Sequence, residues 1–78
     1  MTNLQIIKEF SKQIRTLYTL KALAYKYDNT KLILTEDEWE TIKLNKIDRR
    51  DWLRNGKTSD QWYDEMITNS HKILNKII

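Results

Sequence analysis

The chain contains no cysteine and no proline, and its 78 residues include one glycine, Gly56, and one histidine, His71. Without cysteine there is no disulfide staple and no thiolate metal site. That fits a reducing compartment, and the cytoplasm is the expected location. Without proline, and with one glycine, few positions force a break, so long helices are the natural outcome. Phosphate-cradling glycine loops are excluded on the same ground. No apolar run approaches the roughly 20 residues that a membrane-crossing helix needs. The opening residues interleave Lys8, Glu9 and Lys12 with apolar positions, unlike a secretory signal.

The residues that are present describe a small folded domain. A chain of this length makes one domain, 1–78, and buries only about 60% of the surface that its unfolded form exposes. Three Trp, four Tyr and one Phe supply enough apolar area to exclude disorder. The net charge of +3 is mild but segregated. Residues 1–27 carry +4, residues 28–42 carry −4 and residues 43–57 again carry +4, with −1 on the remainder. Either the oppositely charged segments pack side by side, or a basic segment faces an anionic partner.

Periodicity predicts an all-α bundle of about four helices, two long and two short, with no substantial sheet. Thr2 and Gln5 form a capping-box pattern ahead of a broad apolar face running from Ile6 to Tyr27, in which Lys21 is the misfit. Asp28-Asn29-Thr30 reads as a turn, and Lys31–Thr35 as a connector packed through Leu32 and Leu34. Thr35 with Glu38 repeats the capping box, and Glu36, Asp37 and Glu38 suit a helix start. Asp48 is expected to cap a third helix to about Asn55, with Trp52 and Leu53 inward and Gly56 as its left-handed stop. After Thr58 or Ser59, the run from Trp62 to Ile78 forms an apolar face with no charged intruder.

Catalytic constellations are scarce. His71 lies on the polar side of the last helix, and the acidic run Glu36–Glu38 lacks the alternating oxygen ligands and glycine of a calcium loop. The sequence therefore reads as a non-enzyme with no metal and no cofactor. Binding surfaces remain. The segment Lys43–Lys57 interleaves cations with a ring, and Lys46, Arg49, Arg50, Arg54 and Trp52 are candidate partner-binding residues. If Trp52 and Leu53 turn inward, Arg49 and Arg50 project outward. Lys8, Lys12 and Arg15, in line with Lys26, form a second candidate stripe. Against both stands the plain reading of solvated faces and weak surface ion pairs.

The stretch Leu34-Thr35-Glu36-Asp37-Glu38, followed by Ile47-Asp48-Arg49-Arg50 and Trp52-Leu53-Arg54-Asn55-Gly56-Lys57, loosely resembles an excisionase-type helix-turn-helix. That resemblance implies a second helix in the DNA major groove. The residues after Gly56 read as a helix and not as a wing, so the family is not assigned. The leading expectation is a binding protein that docks on a protein or nucleoprotein complex and modulates or inhibits it. Its Lys-, Asn- and Ile-rich composition suggests a phage or mobile element. The alternatives are a DNA-binding regulator and a structural homodimer joined through Ile73–Ile78. No membrane partner is expected.

Overall fold

The computed structural model describes residues 2–29 and 33–77. The expected turn at Thr30, the connector residue Leu32 and the last apolar position, Ile78, lie outside them. Four α-helices follow in order: α1 (Asn3–Asp28), α2 (Glu36–Leu44), α3 (Asp51–Arg54) and α4 (Ser59–Ile77). A 3₁₀ turn, Ile47–Arg49, sits between α2 and α3. Among the described residues there is no strand. The all-α expectation holds.

Local chemistry explains the helix starts. Thr2 Oγ1 accepts the Gln5 N–H while Gln5 Oε1 accepts the Thr2 N–H. Thr35 and Glu38 exchange the same pair of bonds, as do Thr58 and Gln61. Each box satisfies donors that a helix start would otherwise leave bare. α3 ends as expected. Gly56 takes φ +68°, its N–H reaches Leu53 O, and the Lys57 N–H reaches Trp52 O at 2.9 Å. This is a Schellman closure, which favours glycine at its left-handed position. α1 runs unbroken through Lys21, whose ammonium crosses to Asp64 at 2.7 Å, so the misfit is an interhelical pair and not a kink.

The third helix differs from expectation. Asp48 caps nothing, and the helix does not run from Asp48 to Asn55. Ile47 and Trp52 are both buried to about 1% exposure. In one continuous helix they would point about 140° apart. A left-handed Arg50, φ 49°, breaks the helix between them and brings both into the core. Lys46, φ 58°, makes a second left-handed corner at the start of the 3₁₀ turn. Both corners cost backbone energy in an L-residue.

The core is one cluster of Leu23, Ala24, Ile42, Ile47, Trp52 and Tyr63, with Leu17, Leu20, Tyr27, Leu34, Trp62 and Met66 against it. Each fully buried Ile contributes about 1.5–3 kcal/mol. Trp52 is at the centre, its ring 6.2 Å from Tyr63, inward as expected. Trp39 stays at the surface, edge-on to Tyr27. α1 and α4 pack along each other and bury Ile14 and Ile67, which lie outside that cluster. The molecule is therefore a head, where the short elements cover α1 and α4, and a bare two-helix arm. Its extents are 43 × 28 × 16 Å.

Candidate docking surfaces

The residues picked out between 46 and 54 divide into two groups. Lys46, Arg49 and Arg54 are exposed. Arg54 lies 3.8 Å from Asp51, a surface pair worth about 0–1 kcal/mol. Arg50, half-buried, folds back onto the end of α1 and does not project outward as expected. Its Cζ stands 4.7 Å over the Tyr27 ring and its Nε lies 3.2 Å from Asp28 Oδ1. That Nε makes an ion pair without hydrogen-bond geometry. Tyr27 in turn meets Trp39 edge-on at 5.8 Å. Arg50 thus ties α3 to the end of α1 and is not a free contact. Trp52 is interior, so it offers no surface to a partner, and its Nε1 has no hydrogen-bond acceptor.

On α1, Lys8, Lys12 and Arg15 are exposed and carry no ion pair among the described residues. Lys26 leaves the stripe, with its Nζ 2.8 Å and 2.9 Å from the two Glu38 carboxylate oxygens. The Lys26 ammonium, with the Thr35 N–H, holds the Glu38 carboxyl below the usual carboxylate range. The Asp64 carboxylate raises the Lys21 ammonium, and burial raises the Tyr63 phenol. The two basic groups do not meet. Arg50 sits against Asp28, thirteen residues beyond Arg15, roughly 20 Å along the helix.

One surface went unread in the sequence. Tyr25 and Leu53 are 55% and 59% exposed and line the same groove of about 550 Å³. Asp28, Lys57 and Asp60 edge it. Lys57 is anchored by Glu65 and lies 5.8 Å over Trp62, which fixes its stem at the rim. Tyr18, two helical turns before Tyr25, extends the apolar strip along α1. The available signal was the adjacency of Trp52 and Leu53. Neighbours on one turn of helix diverge by about 100°, so both cannot face one core.

The segment that the helix-turn-helix resemblance makes the second helix does not form a long helix. α3 is a single turn of four residues, and Gly56 leads into α4. The excisionase-like pattern therefore does not fold as a helix-turn-helix with a wing. Nor do the described residues gather three or more His, Cys, Asp or Glu side chains able to hold a metal. No helix among them is long and apolar enough to cross a membrane. Compared with known proteins, the chain matches no family model, no curated sequence and no solved structure.

Proposed function

We propose that the protein is a non-enzymatic binding protein that docks on a larger protein or nucleoprotein complex and modulates it. The observation that carries this reading is the Tyr25–Leu53 groove, where two large exposed apolar side chains from different helices line one concave surface. Tyr is a residue type enriched at interface anchors, and Tyr18 and Tyr25 are both exposed along this strip. Lys8, Lys12 and Arg15 supply an unpaired positive stripe suited to steering an anionic surface toward the molecule.

The test compares three forms of the full chain in their native cells. These are wild type, Tyr25→Ala/Leu53→Ala, and Lys8→Glu/Lys12→Glu/Arg15→Glu. The wild type should retain one defined partner. The groove variant should lose it by roughly 30-fold or more in affinity, as for hot-spot truncation, with helicity unchanged. The stripe variant should slow association and flatten its salt dependence. Equal retention by the wild type and the groove variant would refute the reading. Steep salt-dependent binding to duplex DNA by the wild type, lost on Arg49→Glu/Arg54→Glu, would favour the DNA-binding alternative.

A further inference from the structure

We infer that the apolar side of the two-helix arm is a self-association surface, covered in solution by the arm of a second copy of this chain. Leu17 and Leu20 on α1, and Trp62 and Met66 on α4, pack against the core on the side that the short elements cover. At 100° per residue the same stripes continue down the arm through Gln13, Phe10 and Ile6 on α1 and Ser70, Ile73 and Ile77 on α4. There the short elements have ended. Phe10, Ile6, Ser70 and Ile77 are half-buried, and Ile73 is 47% exposed. α2 runs back along α1, with Asp37, Glu38 and Thr41 sharing a groove with Thr19, Leu23 and Lys26. Its last residue, Leu44, is 83% exposed.

Two magnitudes fit a second copy as the occupant. A compact monomer of this mass exposes about 5,000 Å², whereas this chain exposes 6010 Å². The excess of about 1,000 Å² is close to the roughly 800 Å² that each partner of a stable pair buries. The radius of gyration agrees, at 14.2 Å against about 11.5 Å for a compact chain of this length. Charge permits a like partner. The arm carries Lys8, Lys12, Arg15, Lys72 and Lys76 against Glu9 alone. Lys8, Lys12, Arg15 and Lys72 stand about 100° or more around their helices from every face position, while Glu9 and Lys76 flank its edges, about 40° from Gln13 and about 60° from Ile73. The six face positions are all uncharged. Two arms laid face to face complete a four-helix bundle.

Sedimentation equilibrium and concentration-dependent melting of the full chain test this. The wild type should approach twice the 9.5 kDa protomer mass between micromolar and submillimolar concentration. Its melting temperature should rise with concentration by mass action. Gln13→Glu and Ile73→Glu should each weaken association at least about tenfold, because a buried unpaired carboxylate is costly. Thr68→Glu, on the opposite side of α4, should leave it unchanged. Should Ile73→Glu lose helicity, Gln13→Glu decides, since Gln13 is exposed in the single chain. A wild type that stays monomeric throughout overturns the proposal. So does a dimer affected equally by all three substitutions, or a monomer whose arm variants lose a foreign partner instead.

Discussion

The indole of Trp52 sets two opposing effects against each other, and two substitutions separate them. Its ring is 1% exposed and packs on Tyr63, while Nε1 is buried without an acceptor. A buried donor left unmade costs about 1–3 kcal/mol. Trp52→Phe removes that donor along with roughly 40 Å³ of ring, whose cavity costs about 1 kcal/mol at about 24 cal/mol per Å³. The lost apolar transfer adds about another 1 kcal/mol. Gain and loss nearly cancel, so Trp52→Phe should lie within about 1 kcal/mol of wild type. Trp52→Ala keeps the gain but loses the whole ring, and should cost about 3–5 kcal/mol. Against a total of about 4–12 kcal/mol for a chain of this length, that is about a quarter or more. Urea unfolding followed by circular dichroism measures both, since tryptophan fluorescence changes with the substitution itself. If Trp52→Phe costs as much as Trp52→Ala, the fit of the indole governs this site and the bare N–H is not a penalty.

Two further outcomes follow from particular residues. Lys46→Gly relieves a left-handed L-residue at an exposed corner and should raise the melting temperature by up to about 5 °C, whereas Arg50→Gly should lower it by removing the Asp28 and Tyr27 contacts; calorimetry distinguishes them, and a fall with Lys46→Gly would contradict the strain argument. The folded-state Glu38 carboxyl is held low by Lys26, so its contribution is present at neutral pH and lost as pH falls through the folded value. A pH series of urea midpoints should therefore show a shallower acid loss for Glu38→Gln than for wild type.

Much of this fold was legible because its punctuation is local. The pairs Thr2–Gln5, Thr35–Glu38 and Thr58–Gln61 mark three helix starts, and Gly56 marks a stop, through bonds spanning at most five residues. The break at Arg50 was not legible, because no local preference places an arginine at φ 49°. It arises from a tertiary demand, the burial of both Ile47 and Trp52 in a core closed by distant Leu23 and Tyr63. The fold of Arg50 back onto α1 was hidden for the same reason. Its partners, Tyr27 and Asp28, lie more than twenty residues earlier.

The candidate site follows from the same competition for interior space. Trp52 and Leu53 cannot both enter one core from a four-residue helix, and the larger ring has more to gain from burial. Leu53 is left outside, where it faces Tyr25 across a groove, and the anchor shifts by one residue from the one the sequence favoured. Helix lengths act in a parallel way on α1. Its apolar positions cover a broad face over 26 residues, while α2 and α3 provide only nine and four residues to cover it. Thirteen residues cannot screen both ends of so long a helix, so apolar surface had to remain along the arm. The amount of leftover surface could be read from the lengths. Its side could not, because that depends on where the Arg50 corner sends the short elements across α1 and α4.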